Sequence, residues 1–262
     1  ILDLVNHSTY EESAYLLLFG ELPTADQLKD FNRRLIEARG IPEPVIKNLR
    51  NRPKRAHPMD ILQSCVPELA DYDLNIEDAS KEAHIRRAIT LIAKIPAIVS
   101  AWNRIRSGHH VLDPLEKVSH AANFLYMLRG IEPSTEEAKV MDICLILHAE
   151  HSFNASTFAA REIASTRAHL YASIGGAIGA LSGELHGGAN VQVMKMLLEI
   201  GDPANADRWV ANRLQSGGRI MGMGHAVYRT TDPRADILAR LSARICREKN
   251  NKWYEITRRI EE

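Results

Sequence analysis

Apolar positions recur three and four residues apart along almost the whole chain, the period of an amphipathic helix. Neither sustained strand alternation nor an Asn-Gly hairpin turn is found, so the pattern predicts an all-α protein. Ser8-Thr9-Tyr10-Glu11 reads as a capping box ahead of an apolar run that Gly20 closes. Thr24-Ala25-Asp26-Gln27 repeats the signature ahead of Leu28, Phe31 and Leu35, and Gly40 ends that helix. Pro42–Arg50 predicts a short helix, and Pro58 opens another with Ile61, Leu62, Cys65 and Leu69 on its inner side. From about Asp78 to Arg106, Ile85, Ile89, Ile92, Val99 and Trp102 keep helical spacing, with Pro96 expected to kink or break the run. Asp113-Pro114 is expected to start the next helix and Gly130 to stop it, while Ser134-Thr135-Glu136-Glu137 caps one running toward His148.

Ala168–Leu185 has a different texture, apolar and built of small residues. Gly175, Gly179 and Gly183 fall four apart and form a smooth ridge on one helix face. A transmembrane packing motif would look similar, but the run is short and carries His169, Ser173 and Ser182. A phosphate-binding glycine loop would need a preceding strand, which is absent from the pattern. The ridge therefore predicts a buried helix packed closely on another, within the chain or across a dimer axis.

Composition narrows the function classes. The 262 residues carry 33 Lys+Arg against 33 Asp+Glu, a balance that argues against a nucleic-acid binder. No uncharged run is long enough to predict a membrane span. Three widely spaced cysteines, Cys65, Cys144 and Cys246, have no zinc spacing and suit a reducing compartment, so a cytoplasmic location is expected. The chain starts at Ile1 without Met and stops inside a helical pattern, so an internal fragment of a longer protein is expected.

Candidate chemistry concentrates in three histidine-bearing stretches. Gly217–Arg234 holds Gly217, Gly218, Gly222 and Gly224, then His225, with Arg219, Arg229 and Arg234 around it. Asp232-Pro233 reads as the N-cap and first turn of a following helix. Glycines, a histidine and arginines before a helix suit a small-anion site, although a surface loop with solvated charges has the same composition. In His148–Ser156, His148 and His151 are three apart, followed by Asn154 and Ser156 in a turn. A metal there would need a further ligand brought by the fold, and capping or core roles fit as well. In Ser182–Asn190, His186 precedes Gly187-Gly188 at the start of a helix over Val191–Ile200. A neutral imidazole at such a helix start can donate a hydrogen bond to a carbonyl oxygen as charge develops on it, though a structural histidine would look the same.

Taken together, His186-Gly187-Gly188-Ala189-Asn190 and Gly222-Met223-Gly224-His225-Ala226-Val227-Tyr228-Arg229 through Asp232-Pro233-Arg234 resemble the signature motifs of the citrate synthase family. The likeness extends through His148–Ser156, Ala56-His57-Pro58-Met59-Asp60, His7–Glu12 and Leu16–Pro23, in the family's order over essentially the whole chain. The spacings and the Ala56–Asp60 stretch are closer to the prokaryotic branch that includes 2-methylcitrate synthases.

The resemblance implies an all-α fold with a large helical domain over residues 1–186, a smaller one over 187–262, and the active site in the cleft between them. It implies a homodimer, with the glycine ridge at a dimer-interface helix, and condensation of acetyl-CoA with oxaloacetate and water to citrate and CoA. No metal or other cofactor is implied. His186 would hydrogen-bond the thioester carbonyl, and His225 would polarise the ketone of oxaloacetate. His151 and Arg234 would hold its carboxylates, with Ser156 supporting His186 and Asn154 shaping the same turn. The backbone of Ile220, Met221, Gly222, Met223 and Gly224 would line the adenine side of CoA, and Arg229 would meet its phosphates. Met223 stands where relatives more often carry an aromatic residue. The family's general base, an Asp in an Asn-Val-Asp-type motif, is expected after residue 262. A chain without it is expected to turn over little or not at all, since general bases contribute roughly 10²–10⁴ in rate. Propionyl-CoA as the substrate, and an inactive CoA-binding homologue, are the alternatives carried forward.

Overall fold

The computed structural model describes residues 2–150, 152–223, 232–249 and 251–262. Among them the chain forms α-helices and two short 3-10 turns and no strand, as the periodicity predicts. It divides into two compact units, Ile1–Ser182 and Gly183–Glu262. The first unit contains α1 (Leu2–His7), α2 (Tyr10–Phe19), α3 (Ala25–Ala38), α4 (Glu43–Asn51), α5 (Pro58–Glu68), α6 (Lys81–Arg106), α7 (His120–Arg129), α8 (Thr135–His148), α9 (Ala155–Ser165) and α10 (Leu170–Leu181). The second contains α11 (Ala189–Ile200), α12 (Ala206–Gln215), α13 (Ala235–Glu248) and α14 (Trp253–Glu261).

The helix starts follow local chemistry. The first capping box sits one residue later than its sequence signature, with Thr9 as the cap and Glu12 closing it. Thr24 with Gln27 and Ser134 with Glu137 form the other two as expected. Gly20 and Gly130 close α2 and α7 in the left-handed conformation, at φ 86° and 84°.

α6 is the hub of the first unit, packing against α3, α4, α5, α7 and α10. It is long and apolar enough to cross a membrane by length and composition, yet Ile89, Leu91, Ala93, Ala97, Ile98, Ala101 and Trp102 are buried within the unit. The helix runs unbroken through Pro96, so of the expected kink or break the break does not occur. Proline removes one main-chain bond, and packing of the neighbouring Ala97 and Ile98 outweighs that loss. One core cluster gathers Val45, Leu49, Val66, Ile98 and Trp102; another stacks Tyr15 on Phe19 at 4.2 Å with Phe31 edge-on to Tyr15 at 5.5 Å.

No helix starts at Asp113-Pro114; α7 begins at His120, capped by Ser119. The residues between are an irregular loop whose polar groups are met from elsewhere. The buried Arg39 guanidinium donates to the carbonyls of Leu115 and, at 3.0 Å, Val118. Asn123 Oδ1 accepts from the Leu115 N–H at 2.8 Å. A second arginine organises another loop in the same way. Arg87, itself buried, donates to Asp73 Oδ2 at 2.7 Å and to the carbonyls of Asn75, Ile76 and Asp78.

The glycine ridge is used inside the chain. A Cβ on Gly175 would lie 2.6 Å from Pro67 Cγ, and one on Gly179 would strike the Gln63 amide, both on α5. On the other side, a Cβ on Gly176 would strike Ile163 Cδ1 of α9. Gly183 lies beyond the end of α10 and so is not part of that helical face.

The second unit has its own core, in which Met196, Leu197 and Ile200 of α11 meet Ala206 of α12 and Ile256 and Ile260 of α14.

Candidate active site

His148 ends α8, and its ring Nδ1–H donates to the Cys144 carbonyl at 2.6 Å. Asn154 caps α9, its Oδ1 accepting the Thr157 N–H at 3.0 Å. Its expected turn role is therefore a capping role, while Ser156 sits inside the first turn of α9 rather than ahead of it. Phe153 and Phe158 are exposed here, edge to face at 6.0 Å, with the Arg161 guanidinium 5.0 Å above the Phe153 ring. His151, Gly224, His225 and Arg229 lie outside the described residues. Among the described residues no His, Cys, Asp or Glu group of three has a metal-binding arrangement.

His186 occupies a tight turn directly before α11. One carbonyl, Gly183 O, accepts both the His186 N–H at 3.0 Å and the Gly188 N–H at 3.1 Å. That double acceptance folds residues 183–188 into a compact knot leading into the helix. Gly188 is required there, because a Cβ would lie 2.9 Å from Glu184 Cα, a backbone atom that cannot swing aside. The knot turns Leu185 fully out, 98% exposed, while His186 is half-buried.

The glycine loop is anchored from below by the same core as α11. Ile220 and Met221 pack against the second unit's cluster, and a Cβ on Gly222 would lie 3.1 Å from Val193 Cγ2. Gly222 has φ 86°, so its left-handed backbone also favours glycine. Gly217 and Gly218 end α12, their N–H groups returning to the Leu214 and Arg213 carbonyls. Gly222 and Met223 are exposed, which leaves that part of the loop open to solvent.

Asp232-Pro233 does not cap the next helix. α13 starts at Ala235 with Arg234 in the cap position, and the turn is closed by the Ala235 N–H on the Asp232 main-chain carbonyl at 2.9 Å. The Asp232 carboxylate goes instead to Arg234. Its Oδ1 accepts the Arg234 N–H at 2.9 Å and Nε at 3.0 Å, and its Oδ2 accepts Nη2 at 2.7 Å. Proline at 233 removes a donor and fixes φ, which favours this short side-chain loop over an earlier helix start. Sequence reasoning missed the pairing because Asp before Pro is also a helix-start signature. The signal was the arginine two residues on.

A groove of about 960 Å³ runs along α3 and residues 114–117, walled by Leu28, Asn32, Ile36 and Pro114. None of the sequence-predicted site residues lines it.

The family model described as the citrate synthase C-terminal domain matches residues 1–262. The chain belongs to the citrate synthase family. It is 41% identical over 262 residues to citrate synthase 2 of Bacillus subtilis, covering 99% of this chain and 70% of that protein. It is 39% identical over 268 residues to 2-methylcitrate synthase 1 of Corynebacterium glutamicum, covering 99% of this chain and 70% of that one. A Thermoplasma acidophilum citrate synthase, solved as a ternary complex with carboxymethyl coenzyme A and oxaloacetate, matches at TM-score 0.93 and 30% identity, over 99% of this chain and 68% of that one. These likenesses agree with the all-α fold and with an enzyme of the citrate synthase type.

Proposed function

We propose that this protein condenses acetyl-CoA with oxaloacetate and water to give citrate and CoA. The observation that carries the reading is the family match over residues 1–262, which includes both histidine motifs in order. The hard step is removal of a proton from the thioester methyl group, because negative charge then builds on the carbonyl oxygen. Preorganised donors lower that barrier most, since they pay no reorganisation as charge appears. His186 is the donor to the thioester oxygen, and the 183–188 knot supports the role by fixing the histidine's backbone. A carboxylate base takes the methyl proton, His225 polarises the oxaloacetate ketone as the enol carbon attacks the ketone carbon and the ketone oxygen gains a proton, and water then cleaves the thioester to release citrate and CoA. Arg234 and His151 hold the carboxylates; the planar guanidinium fork matches a carboxylate in two bonds. Ser156 supports His186. Ile220 and Met221 hold the glycine loop so that its backbone, from Ile220 to Gly224, meets the adenine end of CoA, with Arg229 on the phosphates.

The enzyme acts as a homodimer in the cytoplasm, at the entry to the tricarboxylic acid cycle, without metal or cofactor. The Corynebacterium relative favours a second reading in the same site, 2-methylcitrate formation from propionyl-CoA. One methylene in an apolar pocket separates the two substrates by only about 1–3 kcal/mol. The test is oxaloacetate-dependent thiol release by the protein expressed from its complete reading frame, with each acyl-CoA in turn. Release that His186→Ala and His225→Ala each lower by a hundredfold or more supports the assignment, and the ratio of kcat/KM values names the acyl group. No release with either thioester rejects synthase activity and leaves CoA binding without turnover.

A further inference from the structure

We propose that Val193 is a positioning residue for the adenine end of coenzyme A: it is the fixed shelf that seats the glycine loop at Gly222, and it ties that loop to the helix that begins beside His186. The inference rests on the reading of residues 220–224 as the adenine side of the site.

Val193, Met196, Leu197 and Ile200 recur at the spacing of one helix face, and in α11 the last three are buried in the second unit's core. Val193 is the member of that stripe nearest the helix start; it is partly buried and, like Ile220 and Met221, packs against the core. A Cβ on Gly222 would lie 3.1 Å from Val193 Cγ2, closer than side chains ordinarily sit. Gly222 itself is in the left-handed conformation at φ 86°, so it is main chain, with no side chain between, that rests on the valine methyl. The branch at Cβ makes that methyl a fixed point. A helical valine keeps one χ1 rotamer in about 90% of cases, whereas unbranched methionines such as Met194 and Met196 rearrange readily.

The same helix carries the other end of the site. α11 starts at Ala189, directly after the turn in which Gly183 O accepts the His186 and Gly188 N–H groups. From Gly188 to Val193 the helix rises by about 7.5 Å. The histidine turn is joined to the helix start and the glycine loop sits on Val193 in the second turn, so one rigid element sets the spacing between the thioester donor and the adenine loop. Loss of the shelf frees the adenine end and leaves the thioester end in place.

The test uses the protein from its complete reading frame with two thioesters, acetyl-CoA and acetyl-pantetheine, which lacks the nucleotide. The readout is the ratio of their kcat/KM values, which a general loss of structure does not change because both substrates lose alike. Val193→Ala removes the shelf, Val193→Leu keeps apolar bulk without a branch at Cβ, and Val193→Ile keeps Cγ2. Alanine and leucine should lower the ratio about fivefold or more, isoleucine should hold it within about twofold, and KM for oxaloacetate should stay within about twofold in all three. A second arm needs no activity: urea unfolding of Gly222→Ala in the wild-type and Val193→Ala backgrounds. The added methyl should cost less once Val193 is alanine, because the atom it meets is gone. A ratio unchanged in Val193→Ala, even if both rates fall, overturns the inference and leaves the synthase reading intact. Equal costs of Gly222→Ala in the two backgrounds also overturn it, because the loop would then not rest on Val193. A wild type that uses the two thioesters equally well overturns the adenine reading of the loop and the inference with it.

Discussion

His120 is buried at the start of α7, 3% exposed, and its Nδ1 has no hydrogen-bond partner among the described residues. Its main-chain N–H donates to Glu11 at 2.8 Å, and its ring lies 5.1 Å from that of Tyr10. Burial, helped by the Arg39 charge, pushes the imidazole down to about 4. An unfolded chain takes up a proton near pH 6.5, whereas the folded protein resists until about pH 4. Stability from this residue is thus complete above pH 6.5 and falls with acidification toward pH 4. At pH 5 the loss is about 2 kcal/mol. Burial moves the Glu11 carboxyl upward, which acts in the opposite sense, so the comparison must isolate His120. Urea unfolding at pH 7 and pH 5 should show a drop in wild type exceeding that in His120→Gln by about that amount; equal drops in the two would reject the assignment. Arg87 gives a second prediction at this scale. Its pairing with Asp73 and three carbonyls is buried, so Arg87→Met strands three carbonyl acceptors and leaves the Asp73 carboxylate with Arg86 at 3.7 Å, the Asn75 N–H and the Tyr171 hydroxyl. Unfolding free energy should fall by about 3–5 kcal/mol. A loss below 1 kcal/mol in the same urea titration would mean that water replaces the arginine.

Among elements, α10 offers the sharpest contrast. The space at Gly175 is closed by the rigid ring of Pro67, whereas that at Gly179 is closed by the flexible end of Gln63. Gly175→Ala should destabilise by about 1–3 kcal/mol through overpacking. Gly179→Ala should be nearly neutral, because Gln63 can turn away and alanine is favoured over glycine in a helix by about 1 kcal/mol. Thermal melts of the two variants decide the point, and equal shifts would contradict it. This scale also separates what the sequence revealed from what it hid. Capping boxes at Thr24 and Ser134, glycine stops at Gly20 and Gly130, and the apolar stripes of α3 and α5 depend on residues within a few positions, so they were legible. The loop before α7 was not, because Arg39 satisfies its carbonyls from 76 and 79 positions away. Asp232 was misread for a different reason: its carboxylate accepts both the main-chain N–H and the guanidinium of Arg234, and the helix begins only after that arginine. The chemistry-bearing motifs were legible because the combination of histidines, glycines and arginine is specific even though each residue alone is not.

For the whole molecule, the separate cores of the two units carry a testable consequence. Ile98 lies at 0% exposure in the first unit and Ile256 at 0% in the second. Truncating either to alanine should cost about 2–5 kcal/mol. Hydrogen exchange should then report the Ile256→Ala loss in amides of α11, α12 and α14, and the Ile98→Ala loss in α5 and α6. A uniform loss in every helix from either variant would show that the chain opens only as one cooperative body. The contacts of α10 reach further than energy, into the order in which substitutions can be inherited. Alanine at 175 has room only after Pro67 has become smaller, whereas the reverse sequence passes through a damaged intermediate. A lineage can therefore enlarge this helix by one order of steps and not by the other. Its few small residues act as a ratchet on the history of the fold, and a paired library at positions 67 and 175 would expose the direction in which it turns.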